Sequence, residues 1–220
     1  IPSARVLAIA DVNLAAAEQV AAQFKIPTAT ADPAAIFADP QIDAVLICSV
    51  TGTHAPFIEA AAAAGKHIFC EKPIALSLPQ IDRALAAVEK TGVKLQVGFN
   101  RRFDANYARV RAAITSGEIG APALLHIISR DPGPPPMEYV KASGGMFLDM
   151  TIHDFDMARF LIGAEVEEIY AQAGITVDPA IGAAGDVDTA IVTLKFANGV
   201  LGTIDNCRRA SYGYDQRVEV

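Results

Sequence analysis

The sequence predicts an α/β protein with two domains, at residues 1–98 and 99–220, and three observations support this prediction. Short apolar runs alternate with alanine-rich amphipathic segments in the first part, which is typical of a parallel sheet covered by helices. In the second part several strand-like runs follow one another, and Asn198-Gly199 joins two of them as in a hairpin. A hydrophobic fraction of 52% over 220 residues is sufficient for the cores that these domains need.

The first domain is expected to contain a parallel sheet. Its predicted strands are residues 5–10, 42–48, 67–70 and 93–97. Its predicted helices are residues 14–25, stopped by Pro27, a short turn at 33–38, residues 54–64, capped by Gly65, and residues 77–90. Ligands of such sheets bind at the carboxyl ends of the strands, which are Asp11, 49–54, 71–73 and 98–102 here.

The second domain is expected to be α+β, with an open and mostly antiparallel sheet. Its predicted helices are residues 104–116 and 146–161, the second of which ends at Gly163. Its predicted strands are residues 123–130, 166–174, 187–196 and 200–207, and the last residues, 218–220, look like part of another. Residues 132–136 contain four prolines and must form a loop, since proline lacks an N–H donor.

Charge and cysteine content narrow the possible functions. With 18 basic and 25 acidic side chains the net charge is −7, which argues against nucleic acid or an anionic membrane as a partner. Cys48, Cys70 and Cys207 lie in apolar runs, which predicts buried thiols and a reducing, cytoplasmic location. No apolar run reaches the ~18 residues that span a bilayer, no signal peptide is recognisable, and the histidines lack metal-ligand spacing. We therefore expect neither a membrane segment nor a metal site.

Asp11 has the position of a ribose-binding carboxylate. In a Rossmann domain such a carboxylate follows the second strand, roughly 20 residues after a Gly-x-Gly-x-x-Gly loop, and it favours NAD over NADP. Only ten residues precede Asp11, and the motif occurs nowhere else in the chain. We therefore expect an incomplete Rossmann sheet whose first strand and glycine loop lie upstream, with a further part missing downstream. Taken alone, Asp11 fits equally well the end of a strand in a complete small α/β protein.

Other polar residues at the strand ends of the first domain are candidates for cofactor contact: Ser49, His54, Glu71 and Lys72. The Lys72 ammonium is suited to stabilising alkoxide character on a substrate oxygen, and Pro73 permits a cis bond that would aim it. An ordinary solvent-facing turn explains Glu71-Lys72-Pro73 as well. His54 either contacts a cofactor or caps the helix that it begins.

Asp149 and His153 lie four residues apart on a predicted helix and therefore share a face among apolar neighbours. A carboxylate beside an imidazole fixes its tautomer and raises its basicity, which makes the pair a candidate for acid–base catalysis. A buried hydrogen-bonded pair without a catalytic role is the alternative.

Further polar residues are candidates for substrate contact. Arg101 and Arg102 follow the fourth strand, and we expect one to contact a polar substrate and the other to pair with Asp104. Asp131 either binds a hydroxyl group or forms the turn before Pro132. Tyr212 either donates a hydrogen bond to a polyol or covers a face of the sheet.

Three segments resemble the glucose–fructose oxidoreductase/inositol dehydrogenase family. They are Ala-Gly-Lys-His-Ile-Phe-Cys-Glu-Lys-Pro at 64–73, Gly-Phe-Asn-Arg-Arg-Phe-Asp at 98–104 and Gly-Gly-Met-Phe-Leu-Asp-Met-Thr-Ile-His-Asp at 144–154. The resemblance covers essentially the whole chain and implies NAD-dependent oxidation of myo-inositol to the 2-keto inositol. Lys72, Asp149 and His153 match the family's catalytic residues, Asp11 its ribose carboxylate, and Arg101 and Tyr212 fall near substrate-contacting positions.

The resemblance also implies a homo-oligomer, a homotetramer, that assembles through the open sheet. Two alternatives stay open. One is another sugar or polyol oxidoreductase of the same family. The other is a non-catalytic binding or regulatory protein, because the glycine loop is absent from the sequence.

Overall fold

The computed structural model describes residues 3–220, which divide into two compact units between Gly98 and Phe99. The division falls between the same two residues as in the sequence prediction. Helices and strands of each unit are numbered below in chain order.

The first unit contains two parallel sheets with helices between their strands. Its strands are β1 (Ala8–Ala10), β2 (Thr28–Thr30), β3 (Ala44–Ile47), β4 (His67–Cys70) and β5 (Leu95–Val97), in the orders β1-β2 and β3-β4-β5. Its helices are α1 (Leu14–Phe24), α2 (Pro33–Ala38), α3 (His54–Ala63) and α4 (Leu78–Thr91). The predicted parallel α/β arrangement is thus confirmed, while β2 was not predicted because Thr-Ala-Thr lacks an apolar run.

Local sequence explains the helix ends of this unit. The Asn13 side chain accepts a hydrogen bond from the amide of Ala16 at the start of α1, and Asp32 does the same for Ala34 in α2. Gly92 ends α4 with φ of 71°, a left-handed conformation that glycine adopts without a steric cost. These local signals therefore set where the helices begin and end between successive strands.

Both parallel sheets of the first unit pack against one core. Leu7 and Ala8, at β1, contact the buried cluster that includes Val45 of β3 and Ile58 of α3. Among residues 3–220, β1 pairs only with β2, and β3 pairs only with β4. Leu46 of β3 is 74% exposed. The two sheets thus share a core. In the described chain, β1 and β3 each have a paired strand on one side only.

The second unit is built on one five-stranded sheet. Its strands are β6 (Leu124–Arg130), β7 (Val166–Gly174), β8 (Thr189–Phe196), β9 (Leu201–Cys207) and β10 (Asp215–Glu219), in the order β10-β6-β9-β8-β7. Only β6 and β9 pair in parallel; the other three pairs are antiparallel. This confirms the predicted, mostly antiparallel sheet.

The helices of the second unit are α5 (Ala105–Thr115), α6 (Met137–Ala142), α7 (Ile152–Ile162) and α8 (Pro179–Ala183). Residues of α5 and α7 pack against one face of the sheet. Met157 and Leu161 of α7 are buried against Ile127, Val192 and Ile204 of the sheet. On the opposite face, alternate residues point away from this core, and Leu124, Ile191 and Leu201 are more than half exposed. The sheet is therefore open on that side within the described chain.

The structure corrects two expectations from the sequence and adds two helices that were not expected. The predicted helix over 146–161 begins instead as a π-helical turn, Phe147–Thr151, which leads into α7. Helices α6 and α8 were not predicted, because each is short and follows proline-rich or turn-like sequence. Of the three thiols expected to be buried, only Cys70 is; Cys48 is exposed at the end of β3, and Cys207 is partly buried.

Candidate active site

Asp11 lies directly after β1, at the carboxyl end of a parallel strand. Its amide donates to the carbonyl of Thr30, which extends the pairing with β2 by one residue. Its Oδ1 accepts from the amide of Asn13 at 2.8 Å, and the side chain is exposed. This contact turns the carboxylate toward the start of α1, at the end of the sheet where parallel α/β proteins bind ligands.

His54 joins two strand-end segments of the first unit. It is 1% exposed, and its Nδ1 and Nε2 lie 2.8 Å and 2.9 Å from the carbonyl oxygens of Pro73 and Ser49. Neither contact satisfies an amide of α3, so the predicted alternative of a helix cap is wrong. Cofactor contact by His54 stays a prediction, while its ring ties the segment after β3 to the segment after β4.

Ser49 is exposed and shares a hydrogen bond of 2.6 Å with the hydroxyl of Thr53. The Thr53 hydroxyl in turn donates to the carbonyl of Val50 at 2.7 Å. These contacts close a short 3₁₀ turn, Thr51–Thr53, that leads into α3. Cofactor contact by Ser49 also stays a prediction.

Glu71 and Lys72 follow β4, and both are partly buried. The Glu71 amide donates to the carbonyl of Ile47, and the Lys72–Pro73 bond is cis. Gly98, after β5, lies so close that a Cβ added there would be 3.0 Å from Glu71 Oε2. The carboxyl ends of β3, β4 and β5 are thus close packed, and glycine at position 98 leaves room for the Glu71 carboxylate.

In the second unit, a glycine turn positions the helical segment that carries Asp149 and His153. Gly144 and Gly145 both have positive φ, at 87° and 84°. A Cβ on Gly145 would lie 2.7 Å from Asp186 Oδ1, and this carboxylate accepts from the amide of Met146 at 3.0 Å. Both glycines therefore have a backbone reason for their place in the motif, and Asp186 fixes the start of the π-helical turn.

Asp149 lies on that turn and is 8% exposed. Its Oδ1 accepts from the hydroxyl of Tyr139 on α6 at 2.7 Å, and its Oδ2 accepts from Arg208 Nη2 at 3.1 Å. The other terminal nitrogen of Arg208 donates to Asp131 Oδ2 at 3.4 Å. Arg208 thus lies between two carboxylates that the sequence proposes independently as site residues.

Burial and charge act in opposite directions in this cluster. Burial raises the pKa of Asp131, and the neighbouring Arg208 partly offsets that rise. Burial, together with the hydrogen bond to Asp149, raises the pKa of Tyr139 to about 12. Tyr139 is therefore a neutral donor to the Asp149 carboxylate throughout the physiological pH range.

His153 lies in the first turn of α7, four residues after Asp149, and is partly exposed. Four residues correspond to slightly more or less than one full turn in α- and π-helical geometry, so both side chains lie on the same side of the segment. π-Helical turns are frequent at functional sites. The predicted shared face is therefore compatible with the irregular helix that is observed.

The two arginines after β5 pair with α7. Arg101 donates to Asp154, a fully buried carboxylate that also accepts from Asn206 Nδ2 at 2.8 Å. Arg102 makes a bidentate pair with Asp156, at 2.8 Å and 2.6 Å. The expected pair of one arginine with Asp104 is wrong, because Asp104 accepts from amides at the start of α5. Substrate contact by Arg101 stays a prediction.

Tyr212 lies in the segment between β9 and β10 and is 67% exposed. Its hydroxyl donates to Asp215 Oδ2 at 2.7 Å and accepts from Arg130 Nη1 at 3.3 Å. The hydroxyl is therefore already part of a polar network at the edge of the sheet. Contact with a polyol stays a prediction for this residue.

Sequence reasoning missed the residues that hold the candidate site residues in place. They are Tyr139, Asp186, Asn206 and Arg208. An arginine at the end of an apolar strand and an aspartate before another strand are weak signals, because their partners lie 40 to 59 positions away. Over residues 3–220, no cluster of three or more His, Cys, Asp or Glu side chains could hold a metal ion, and no helix could cross a bilayer.

The structure thus contains a parallel α/β unit with a carboxylate after its first described strand, followed in sequence by an α+β unit that carries Asp149 and His153, which is the arrangement expected from the sequence. Comparison with known families agrees. Residues 2–99 match the oxidoreductase family with an NAD-binding Rossmann fold, and residues 107–220 match the GFO/IDH/MocA C-terminal domain. The chain therefore belongs to the GFO/IDH/MocA family.

Individual relatives support this assignment along the whole chain. Myo-inositol 2-dehydrogenase of Thermotoga maritima is 51% identical over 220 residues, which are 100% of this chain and 66% of that protein. Inositol 2-dehydrogenase of Rhizobium meliloti is 52% identical over 99% of this chain and 65% of its own length. Scyllo-inositol dehydrogenase of Lactobacillus casei, solved with NAD(H) and scyllo-inositol, is 30% identical with a TM-score of 0.89, over 97% of this chain and 65% of its own. This chain thus spans about two thirds of each of these relatives.

Proposed function

We propose that this chain is part of an NAD-dependent dehydrogenase that oxidises one secondary alcohol of myo-inositol to the 2-keto inositol. The observation that carries the proposal is Asp149, held by two donors on an irregular helix four residues before His153. The similarity to two inositol 2-dehydrogenases at 51% and 52% identity supports the substrate class. Another polyol or sugar of similar shape is the alternative substrate.

The first unit fits NAD as the cofactor. Asp11 is exposed at the carboxyl end of β1, where a carboxylate accepts hydrogen bonds from the adenosine ribose and repels a 2′-phosphate. We propose Ser49, His54, Glu71 and Lys72 as further residues around the cofactor, because they follow β3 and β4 at the same end of the strands. When bound, the nicotinamide ring supplies the hydride acceptor for the reaction.

Proton transfer is assigned to His153 and Asp149. Oxidation of a secondary alcohol releases a hydride from carbon and a proton from the hydroxyl group. We propose that His153 accepts this proton and that the Asp149 carboxylate stabilises the imidazolium that results. Lys72 stabilises the negative charge that develops on the substrate oxygen. Arg101, Asp131 and Tyr212 are proposed to contact the other hydroxyl groups.

A panel of substrates tests the proposal. The complete natural protein that carries this chain would be supplied with NAD and with myo-inositol, scyllo-inositol or glucose, and NADH formation would be followed by absorbance. We expect the highest kcat/KM with myo-inositol. A preference for scyllo-inositol or glucose would move the function to another member of the family. No NADH with any of the three would favour a non-catalytic binding protein.

We also propose a homo-oligomer, a homotetramer, in the cytoplasm. The support for assembly is the open face of the five-stranded sheet, where Leu124 and Leu201 are register neighbours and both are more than half exposed. Apolar side chains on an uncovered sheet commonly mark an interface. Light scattering after size-exclusion chromatography would give the number of subunits.

A further inference from the structure

The cluster around Asp149 contains two residues outside the proposed catalytic, cofactor-binding and substrate-binding sets, Tyr139 and Arg208. We propose that both are positioning residues, which hold the Asp149 carboxylate oriented and ionised for its work with His153. This inference rests on the proposed function, because it concerns the same acid–base pair.

Geometry assigns one oxygen of Asp149 to each donor. Tyr139 donates to Oδ1 at 2.7 Å from α6, and Arg208 donates to Oδ2 at 3.1 Å from the end of β9. The two donors come from different elements, so the carboxylate cannot rotate without breaking one of the two bonds. A charge-assisted bond from a guanidinium and a bond from a neutral hydroxyl therefore fix both its direction and its charge.

Arg208 has a second task, because it also contacts Asp131 at 3.4 Å. Arg208 is 3% exposed, and the charge of Asp149 raises the pKa of Asp131 on the other side of the guanidinium. Removal of the cation would leave two carboxylates close together with little access to solvent, which raises the pKa of at least one of them. Protonation of Asp149 would deprive His153 of the charge that stabilises its imidazolium.

The groups that face this cluster come from several elements. They are Tyr139 on α6, Asp131 after β6 and Arg208 after β9, with Arg101 acting on Asp131 at longer range. The pKa of Tyr139 is about 12, so this residue stays neutral from pH 5 to 9 and does not itself contribute to a pH profile. A pH profile is therefore an informative measurement, because loss of packing alone would not shift it.

The experiment compares Tyr139→Phe, Arg208→Gln and Arg208→Lys in the complete natural protein, with kcat and KM measured from pH 5 to 9. Tyr139→Phe should lower kcat about tenfold with little change in KM, since only an oriented donor is lost. Arg208→Gln should shift the acid limb of the kcat/KM profile to higher pH by ~1 unit. Arg208→Lys keeps the positive charge, so its acid limb should lie closer to that of the unchanged protein than to that of Arg208→Gln.

Two matched variants control for the loss of a hydroxyl or a charge elsewhere in the second unit. Tyr170→Phe removes an exposed hydroxyl on β7, and Arg109→Gln removes an exposed partner of Glu118. Neither residue is assigned to the site, and we expect neither variant to move the pH profile. Equal effects in the controls and in the site variants would overturn the inference, as would an unchanged acid limb in Arg208→Gln.

Thermal unfolding separates this inference from the proposed function. The difference in Tm between the unchanged protein and Arg208→Gln should grow as pH rises from 4 to 7. The reason is that repulsion between the Asp149 and Asp131 carboxylates, no longer compensated by Arg208, increases as they ionise. If no polyol is oxidised but this pH-dependent difference is found, the catalytic proposal fails while the electrostatic role of Arg208 stands. A difference that does not vary with pH would overturn that role. If Arg208→Gln does not fold, Arg208→Lys and Tyr139→Phe still decide the matter through kcat.

Discussion

Replacing Arg101 by Met tests how the second unit tolerates a buried charge. Asp154 is completely buried, and it accepts hydrogen bonds from Arg101 and from Asn206. Arg101→Met leaves the carboxylate without its cation. Removal of one partner of a buried ion pair typically costs about 3–5 kcal/mol, and we expect a loss in this range at pH 7.

The sign of the pH dependence follows from the direction of the pKa shift. Burial raises the pKa of Asp154, and Arg101 partly offsets the rise, so Arg101→Met raises the folded-state pKa further. A carboxyl whose pKa is higher in the folded than in the unfolded state stabilises the protein at low pH and loses that contribution as pH rises. The cost of Arg101→Met should therefore be small near pH 4 and largest at pH 7.

The assay is urea denaturation at pH 4, 5.5 and 7, followed by far-ultraviolet circular dichroism because the chain contains no tryptophan. The double variant Arg101→Met/Asp154→Asn should recover part of the loss, since it removes the uncompensated charge. Arg109→Met, at an exposed pair with Glu118, should leave the midpoint unchanged. A loss that is equal at all three pH values, or as large for Arg109→Met, would refute the reasoning.

Three further predictions follow from other parts of the molecule. His54→Leu keeps the bulk of the ring but removes its polar contacts with the carbonyls of Ser49 and Pro73. It should lower the free energy of unfolding by about 1–3 kcal/mol, measured by the same denaturation assay. An unchanged midpoint would show that the two contacts do not stabilise the segment. Asp11→Ser should reduce the preference for NAD over NADP, measured as the ratio of the two kcat/KM values, because the repulsion of a 2′-phosphate is lost; the same ratio in both proteins would remove Asp11 from cofactor recognition. Leu201→Glu, on the open face of the five-stranded sheet, should lower the mass measured by light scattering, because a charge would have to be buried in the interface; an unchanged mass would place the interface elsewhere.

Much of the fold is predictable from the sequence because its signals are local. The strands at His67–Cys70 and Val166–Gly174 coincide with the predicted bounds, since each is a compact apolar or alternating run between turn residues. The hairpin through Asn198-Gly199 was also predictable, because Asn-Gly is typical of a tight hairpin turn. In the structure Gly199 has a φ of 85°, as such a turn requires. Elements with short or proline-rich sequences, such as α6, gave no comparable signal.

The candidate site is only partly predictable, for a different reason. Asp149 and His153 are neighbours on one segment, so their shared side follows from helical spacing alone. The partners of Asp149 do not follow, because Arg208 reaches it from 59 positions away and Tyr139 lies on a helix that the sequence did not indicate. Similarly, the pairing of Arg101 with Asp154 depends on how α7 packs in the second unit, and the nearer Asp104 was the wrong choice.

The most direct test of the account is the turnover of myo-inositol by the complete natural protein with Asp149→Asn or His153→Ala, with NAD binding measured by calorimetry in parallel. If these residues transfer and stabilise the proton, His153→Ala should lower kcat by about 100-fold or more, and Asp149→Asn should also lower it strongly. Both variants should still bind NAD, because neither residue is proposed to hold it. Turnover that is unchanged in His153→Ala would contradict the assignment of this chain to the proposed dehydrogenase mechanism.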